Sequence, residues 1–542
     1  MSSGGTVLDY EVVIIGAGVA GIYQIYKLTQ QGINATVLEA ADDLGGTWYH
    51  NRYPGCRFDS ESYTYGYSFS RELLNEWHWK ERYSPQPENL RYLNFVADKF
   101  DLRRHMQFNC RVERMSFHEA GDFWTLETSD NRTISARFVI TGIGLLSVPT
   151  APRYAGIDTF KGQSFHTYDW PKEPVALEGK RVAVIGTGAT GIQVIADIAD
   201  KVGQLTVFQR RPNWAAPLHN GPISEEEMAH IRARYDEIFA ICSGTPGGFE
   251  HEPDRRGFYN FSHEERVEFW DKLYEMSGFS IWLRNFREIF TDEKANAEFS
   301  EYIANRIRAR VKDPSVAEKL IPRDHGFGVQ RLPMETNYYE VYNRDNVRLV
   351  DISEDPIVRV TESGIRTENE EHLFDIIVYA TGFDAMTGAF DKIDIRGVGG
   401  QTLRDKWAVD VSTFMGMLVH GFPNLVMLAG PQSVSVSANF PRGIETCVNW
   451  VSGLLEYVWA KGIRRFEATQ EAEDAWSQHV AEMFQKVLMR NATRSWFTGY
   501  NSNIEGRGPG TTRYLVYNGG GPKYMKRLQE IAEHEYEGLE FG

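Results

Sequence analysis

The sequence predicts an α/β fold made of two similar units, with a helical insertion in the second. Three observations predict it. A G-x-G-x-x-G turn at residues 16–21 lies between an apolar β-branched run and an amphipathic stretch. The same arrangement returns at residues 186–191, 170 residues later. Residues 223–325 then carry charged and aromatic side chains at helical spacing, with few strand-like runs. These features together predict two Rossmann-like dinucleotide-binding units.

The first unit is expected to bind FAD. Its turn glycines permit a tight turn, close approach of a pyrophosphate to the backbone, and close packing of the following helix. A strand at residues 35–38 then ends at Glu39, whose carboxylate can accept a hydrogen bond from a ribose hydroxyl. The same carboxylate would repel a 2'-phosphate, which disfavours NADP here. The turn glycines are Gly16, Gly18 and Gly21.

The second unit is expected to bind NADPH. After its strand at residues 205–208 the chain has Arg210 and Arg211, where the first unit has a carboxylate. Guanidinium groups pair well with phosphate, so the arginines favour a cofactor with a 2'-phosphate. The turn residues predicted to contact it are Gly186, Thr187, Gly188 and Gly191.

Later strand-like runs predict how the chain is divided. Apolar runs that stop at glycine, at residues 376–382 and 423–430, are expected to close the second unit and to return the chain to the first. We therefore predict five segments. They are the N-terminal part of the FAD-binding domain (1–148), the first part of the NADPH-binding domain (149–222), the helical insertion (223–325), the second part of the NADPH-binding domain (326–385), and the C-terminal part of the FAD-binding domain with a mobile loop (386–542).

Composition limits the classes of partner. The chain has 58 basic and 74 acidic residues and a net charge of -16, which disfavours nucleic acid or a membrane surface as a partner. The N-terminus lacks the features of a signal peptide and no apolar run is long enough to span a bilayer, so we expect a cytoplasmic protein, monomeric or weakly oligomeric. No metal site is expected, because the cysteines are scattered and read as reduced, buried thiols. They are Cys56, Cys110, Cys242 and Cys447.

The segment before the second turn carries a longer pattern, F-x-G-x-x-x-H-x-x-x-W-P. Its defining residues are Phe160, Gly162, His166 and Trp170. The pattern resembles the fingerprint of type I Baeyer–Villiger monooxygenases, flavoenzymes that insert an oxygen atom beside a ketone carbonyl. Trp170 stands where the N-oxygenating flavin monooxygenases usually carry Tyr or Phe. N-hydroxylation is the alternative reaction, and this position disfavours it.

A second stretch, residues 45–59, is similar to the additional family pattern G-G-x-W-x-x-x-x-Y-P-G-x-x-x-D. Residues 338–340 and 380–384 agree, and the resemblance extends over most of the chain. The chain is therefore identified as a member of that family. The resemblance implies further FAD contacts from Gly46, Thr47, Trp48, Asp59 and Tyr65.

The resemblance also implies a mechanism. NADPH reduces FAD, O₂ adds at the flavin C4a, and the resulting peroxide attacks a ketone to give an ester or lactone, with sulfoxidation as an expected side activity. Arg331 matches the family's catalytic arginine and Asp59 the carboxylate that orients it. A salt bridge without a catalytic role is the alternative for this pair. His166 is expected to couple rotation of the NADPH-binding domain to the active site rather than to act as a general base.

Trp496 aligns with a family tryptophan on a mobile loop that folds over the nicotinamide, with core packing as its alternative. Gln330, grouped with Arg331 among the NADPH contacts, replaces a lysine that commonly contacts the 2'-phosphate. Arg211 stands where many relatives have threonine, so we hypothesise that it supplies the missing charge. Residues 500–510 are longer and richer in glycine than the common family form, which puts closure of the loop in doubt.

The substrate loop is predicted at residues 432–442. Ser437, Ala438 and Phe440 suggest room for a bulky or cyclic ketone. Arg442 could recognise a carboxylate or phosphate on the substrate, although a surface role is favoured. Two other functions are disfavoured: a dithiol reductase needs a redox-active cysteine pair, and a cofactor sensor without chemistry would lack Arg331.

Overall fold

The structure is a computed structural model, and it describes residues 7–434, 438–502, 504, 506–508 and 512–542. Its strands are β1 (Tyr10–Ile15), β2 (Ala35–Leu38), β3 (Met106–Gln107), β4 (Val112–His118), β5 (Phe123–Thr128), β6 (Thr133–Thr141), β7 (Gln163–His166), β8 (Arg181–Ile185), β9 (Gln204–Gln209), β10 (Ala216–Pro217), β11 (Met334–Glu335), β12 (Val347–Asp351), β13 (Ile357–Val360), β14 (Gly364–Thr367), β15 (Glu371–Leu373), β16 (Ile376–Tyr379), β17 (Asp394–Arg396), β18 (Leu425–Met427), β19 (Phe466–Ala468) and β20 (Leu539–Phe541).

The helices alternate with these strands in the first and second units and cluster in the insertion and near the C-terminus. They are α1 (Val19–Gln30), α2 (Thr47–His50), α3 (Ser62–Tyr65), α4 (Arg71–Glu76), α5 (Gln86–Lys99), α6 (Ala189–Ile198), α7 (Glu225–Gly244), α8 (His263–Tyr274), α9 (Ser280–Leu283), α10 (Glu293–Arg310), α11 (Pro314–Leu320), α12 (Gly388–Asp391), α13 (Leu403–Lys406), α14 (Phe440–Lys461), α15 (Gln470–Gln485) and α16 (Gly521–Glu533).

The first sheet is built from both ends of the chain. Its strand order is β17-β4-β5-β6-β1-β2-β3, and β18 pairs with β6. Strand β1 lies parallel to β2 and β6, while β5 is antiparallel to its two neighbours. The residues of β1 from Val12 to Ile15 are buried, because helices and loops cover both faces of the parallel part of this sheet. Helix α14, near the C-terminus, packs against α1.

The second sheet is parallel throughout and has the order β12-β9-β8-β16-β7. Its edge strand β7 is part of the fingerprint segment. The short strands β10 and β11 pair in parallel and so join the chain before the insertion to the chain after it. In each of the two sheets a glycine turn follows a central strand and leads into a helix, α1 in one and α6 in the other.

The insertion is helical, and its described residues contain no strand between positions 223 and 325. Ser224 caps α7, and Ser262 forms a capping box with Glu265 at the start of α8. At the end of α10, Arg310 pairs with the buried Glu335 of β11 at 2.7 Å. The predicted α/β class with a helical insertion is confirmed; the exact domain limits stay a prediction.

The four cysteines that the sequence predicts to be buried are all buried in the structure. Among the described residues, no helix combines the length and the apolar character that crossing a bilayer requires.

Candidate active site

A cavity of about 1590 Å³ lies between the two glycine turns and the helical insertion. The cavity lies where the two sheets come together, so residues far apart in the chain form its wall. The predicted site residues that line it are Gly16, Gly18, Glu39, Gly46, Thr47, Trp48, Asp59, Tyr65, Gly188, Arg210, Arg211, Gln330, Arg331, Trp496, Ala438 and Phe440.

Other predicted residues do not line this cavity. Gly21, Gly186 and Gly191 pack behind the turns, and the Thr187 hydroxyl donates a hydrogen bond to the Arg211 carbonyl oxygen at 2.9 Å. The fingerprint residues also lie outside the wall; they are Phe160, Gly162, His166 and Trp170. Ser437 and part of the predicted mobile loop lie outside the described residues.

The first turn is a close-fitting backbone cradle. Gly16 has φ +100°, and a methyl group there would lie 2.7 Å from the Gly142 carbonyl oxygen. A methyl group at Gly21 would lie 1.9 Å from the Gly16 carbonyl oxygen, so α1 can pack this closely only with glycine. Gly18 faces the backbone of Gly46: a Cβ at position 18 would lie 3.5 Å from the Gly46 Cα. Such a turn at a helix N-terminus fits a pyrophosphate.

Glu39 is buried and is held by the turn itself. Its Oε2 accepts a hydrogen bond from the Ala17 amide at 2.7 Å, and its Oε1 accepts one from the Ala41 amide at 2.8 Å. Each carboxylate oxygen keeps further accepting capacity, because an ionised carboxylate has about four lone-pair sites. The residue therefore stiffens the turn and still presents acceptors to the cavity.

The second turn has the same backbone but more open surroundings. A methyl group at Gly186 would lie 2.4 Å from the Ala380 carbonyl oxygen, and one at Gly191 would lie 2.1 Å from the Gly186 carbonyl oxygen. In contrast, no atom of the described residues lies within 4 Å of the position a Cβ of residue 188 would take. The phosphate-facing position of this turn is thus open to the cavity.

The two arginines after β9 have different partners. Arg210 donates a hydrogen bond to the Ser502 hydroxyl at 2.6 Å. Arg211 forms an ion pair with Asp324 at 3.1 Å and lies over the Tyr500 ring. Hydrogen bonding to His325 and the charge of Arg211 lower the pKa of Asp324 to about 2, so that carboxylate is ionised and offsets the charge of Arg211.

Arg331 and Asp59 meet at the cavity wall although 272 residues separate them. The Arg331 Nη2 lies 3.5 Å from the Asp59 Oδ2, and its Nη1 donates to the Leu332 carbonyl oxygen at 3.0 Å. The guanidinium lies 4.7 Å from the centre of the Phe279 ring. Burial raises the pKa of Asp59 to about 6, while the charge of Arg331 opposes that rise. Arg331 keeps 37% of its side-chain surface exposed, and this surface faces the cavity.

The fingerprint segment contacts its own unit through His166, and Lys172, just after the motif, contacts the first unit. The His166 Nδ1 accepts a hydrogen bond from the Tyr168 amide at 3.1 Å, and its ring meets Phe383 edge-on. Next to the buried Trp170, Lys172 pairs with Asp42 of the first unit at 2.7 Å. Burial lowers the pKa of His166, which favours the neutral ring.

Comparison with known proteins decides the family. Residues 9–220 match the flavin-binding monooxygenase-like family model. The chain is 44% identical to 2-oxo-Delta(3)-4,5,5-trimethylcyclopentenylacetyl-CoA monooxygenase of Pseudomonas putida over 98% of each chain. It is 40% identical to a Baeyer–Villiger monooxygenase of Pseudooceanicola batsensis, over 98% of this chain and 96% of the relative. This chain belongs to the Baeyer–Villiger monooxygenases.

The crystal structure of one such enzyme, OTEMO in complex with FAD and NADP, superposes on the chain with a TM-score of 0.94. The identity is 43%, and the match covers 99% of this chain and 100% of the other. The family and the two-unit α/β architecture predicted from the motifs are confirmed.

In this Baeyer–Villiger monooxygenase, a buried network that sequence reasoning missed lies behind the Asp59–Arg331 pair. The Glu61 carboxylate accepts a hydrogen bond from the His251 Nε2 at 2.7 Å, and Arg284 donates to the His251 Nδ1 at 3.0 Å. Glu61 is two residues from Asp59, and Arg284 directly follows α9, which begins after Phe279. The network therefore ties both supports of Arg331 together. No local pattern in the sequence signals it.

One sequence expectation about this monooxygenase is wrong. Arg442 is neither at the surface nor on the cavity wall, because its guanidinium is buried against Glu445 at 2.8 Å and lies over the Phe239 ring. It lies within α14, where an unpaired buried charge would be costly, and the ion pair explains its burial.

The loop after Trp496 is tied to residues on both sides of the predicted boundary between the two domains. Arg507 pairs with Asp384, in the 380–384 motif, and with Asp391 at 3.1 Å. Trp496 itself lines the cavity and packs on Phe497, with 4.2 Å between ring centres.

Proposed function

We propose that the protein uses NADPH, FAD and O₂ to insert one oxygen atom beside the carbonyl of a cyclic ketone, giving a lactone. The observation that carries this proposal is Arg331, a fixed cation in the cavity that both glycine turns line. The ring ketone is supported by the P. putida relative, which is named for a cyclopentenyl compound. Both cofactors are supported by the OTEMO complex.

The described residues fit two dinucleotides. In the first turn the backbone of Gly16 and Gly18 would hold the FAD pyrophosphate, and Glu39 would accept from a ribose hydroxyl. In the second turn Gly188 would face the NADPH pyrophosphate and Arg210 its 2'-phosphate. FAD, when bound, supplies the centre at which O₂ is activated, and NADPH supplies the reducing hydride.

Arg331 is proposed as the catalytic residue. Negative charge develops on oxygen when the carbonyl is attacked, and a preorganised cation stabilises that charge most strongly in a site that excludes water. Asp59 and Phe279 fix the guanidinium from two sides, so little reorganisation is required during the reaction. Asp59 is proposed to position Arg331, and Trp496 to close the nicotinamide side of the cavity.

Product analysis tests the proposal. Purified enzyme with FAD, NADPH and ¹⁸O₂ is given a cyclic ketone or, separately, an aromatic amine, and products are identified by mass spectrometry. We expect a lactone carrying one ¹⁸O. Arg331→Ala should lower the rate of lactone formation about 100-fold or more while FAD stays bound. Arg266→Ala is the matched control, since Arg266 pairs with Glu298 in the insertion, away from the cavity.

An N-oxygenated amine without any lactone would overturn the ketone assignment in favour of the N-hydroxylating alternative. Unchanged lactone formation in Arg331→Ala would overturn the role of Arg331 alone.

The pH profile tests the role of Asp59. The ionised carboxylate holds Arg331, and the pKa of Asp59 is raised to about 6, so kcat/KM for the ketone should fall as the pH drops through about 6. Asp59→Asn should lower activity and remove this step from the profile. A step that persists in Asp59→Asn would belong to another group.

A further inference from the structure

Two lysines near the C-terminus line the active-site cavity without a carboxylate partner. Lys486 follows α15, and Lys523 lies in the first turn of α16. The Lys486 ammonium is 3.9 Å from the Met483 sulfur, and within the described ranges neither lysine has a carboxylate oxygen in ion-pair distance. Both side chains belong to exposed residues, so they mark the mouth of the cavity rather than its depth. The chain has a net charge of -16, so two lysines without an ion-pair partner among the described residues distinguish this part of the cavity from the rest of the protein.

The two positive charges act on the same region. Burial lowers the pKa of His479, and Lys486, Lys523 and Arg527 lower it further, while Glu482 opposes them. Helix α15 thus places His479 and Lys486 beside the start of α16. Like charges gathered in this way repel each other, and a bound anion relieves that repulsion.

A chain of contacts along the cavity leads from Arg331 to the segment that carries Lys523. The Arg331 guanidinium lies over Phe279, whose ring centre is 5.3 Å from that of Phe249. Phe249 contacts the direction of the Gly247 Cβ, and the neighbouring Pro246 carbonyl oxygen accepts from the Gly521 amide at 2.8 Å. Gly521 is two residues before Lys523.

The cavity wall along these contacts is apolar between two cationic ends. Its interior part is formed by aromatic rings, while Arg331 stands at one end and the lysines at the other. A ligand with an apolar ring and a negatively charged tail would match aromatic rings that lead to the lysines.

The dinucleotides do not account for these lysines. In the proposed function, the phosphates of FAD and NADPH bind at the two glycine turns, at the starts of α1 and α6, and at Arg210 after β9. Lys486 follows α15 and Lys523 lies in α16; neither helix follows a glycine turn, and α16 contacts α7 of the insertion.

We propose that Lys486 and Lys523 bind an anionic group, a carboxylate or a phosphate, on the tail of the ketone whose carbonyl faces Arg331. The inference rests on the proposed function and deepens it by naming the substrate class. Lysine is a flexible point charge suited to a terminal anion, and two of them at an exposed mouth accept tails that differ in detail.

Steady-state kinetics with matched substrates tests the inference. The set is a cyclic ketone with a carboxymethyl side chain, its methyl ester, and its coenzyme A thioester. We expect KM for the acid or the thioester to lie roughly tenfold below that of the neutral ester at low salt, and the gap to narrow as salt screens the charges. Preference for the acid indicates a carboxylate tail, and preference for the thioester indicates phosphate.

The double variant Lys486→Gln/Lys523→Gln should raise KM for the preferred anionic ketone about tenfold and leave the ester and NADPH unchanged. Lys526→Gln is the matched control, because Lys526 is an exposed lysine of α16 that pairs with Glu530 and does not line the cavity. It should change none of these values.

Equal KM values for the ester and both anionic ketones would overturn the inference and leave the proposed function intact. A rise in the NADPH KM of the double variant, with no loss of preference between ketones, would also overturn it, since the lysines would then serve the cofactor. Failure to oxygenate even the neutral ester would instead count against the proposed function.

Discussion

The two glycine turns have the same sequence pattern and the same tight packing of their third glycine, yet their surroundings differ. At the first turn, Glu39 accepts a hydrogen bond from the turn backbone, and Gly46 lies opposite Gly18. At the second, no atom of the described residues lies within 4 Å of the position a Cβ of residue 188 would take, and two arginines follow β9 instead of a carboxylate. One cradle is closed and the other is open. A closed cradle suits a cofactor that stays bound, and an open one suits a reductant that must exchange.

The closure of the first turn has a specific cause. Gly45 donates its amide to the Ala17 carbonyl oxygen at 3.0 Å and, like Gly46, has a positive φ. This places residues 45–46 across the first cradle. In the second unit, the corresponding link from Thr187 runs to the Arg211 carbonyl oxygen and leaves the turn uncovered.

The largest effects are expected at the third glycine of each turn. In Gly21→Ala and Gly191→Ala the new methyl group would meet a backbone oxygen that cannot move away, which costs about 1–3 kcal/mol or more. Gly21→Ala should be purified with little FAD, seen as loss of flavin absorbance. Gly191→Ala should keep its FAD and show an NADPH KM raised roughly tenfold to a hundredfold. Loss of FAD from Gly191→Ala would show that the two cradles are not independent.

A smaller effect is expected from Glu39→Gln. The amide can accept one hydrogen bond but loses the charge, and unmaking a charged hydrogen bond costs about 1.5–3 kcal/mol. The dissociation constant of FAD, measured by fluorescence titration of the apoprotein, should rise roughly tenfold to a hundredfold. Asp375→Asn is the control, because Asp375 holds Arg181 in the second sheet. An equal loss of FAD in that variant would argue for general destabilisation.

Substitutions of Arg210 and Arg211 give a further test of how the two turns differ. Since Asp324 offsets the charge of Arg211, Arg210→Gln should raise the NADPH KM roughly tenfold, and Arg211→Thr only about two- to threefold. KM for NADH should change little in either variant. A larger effect of Arg211→Thr would support the sequence-based hypothesis that Arg211 replaces the lysine missing at Gln330. Asp324→Asn should then lower the NADPH KM.

The smallest effect is expected from Gly188→Ala. No protein atom would meet the new methyl group, so the unfolding temperature should match that of the unmodified protein within about 1–2 °C, as for a surface substitution. The small effect concerns stability; the NADPH KM should rise, because the methyl group would stand between the turn backbone and the pyrophosphate that approaches it. A large fall in the unfolding temperature would contradict the open environment of the second turn.

The sequence predicted most of the fold and many of the residues on the cavity wall. Glycine turns with flanking strands are local patterns, and Glu39 and Arg210 follow from their place at the strand ends after those turns, whereas Gly46 came from the family resemblance. The alternative in which Arg331 and Asp59 only form a salt bridge stays open, because the pair does lie in contact and its role depends on measurement. The expectation for Arg442 was wrong because Glu445 and the Phe239 ring cover its side chain. These contacts depend on how α14 packs against α7, which the sequence alone does not show.

The sequence by itself determined the α/β class, the two turns and the family, because each is carried by short local patterns. It pointed to Arg331 and Asp59 only through the family resemblance, and their roles stay a prediction. Only the tertiary structure decided that Phe279 supports Arg331, that Glu61, His251 and Arg284 join behind it, and that Lys486 and Lys523 converge at the cavity mouth. These contacts join segments separated by up to hundreds of residues. They depend on how helices and sheets dock, and side-chain periodicity within one element does not encode that docking.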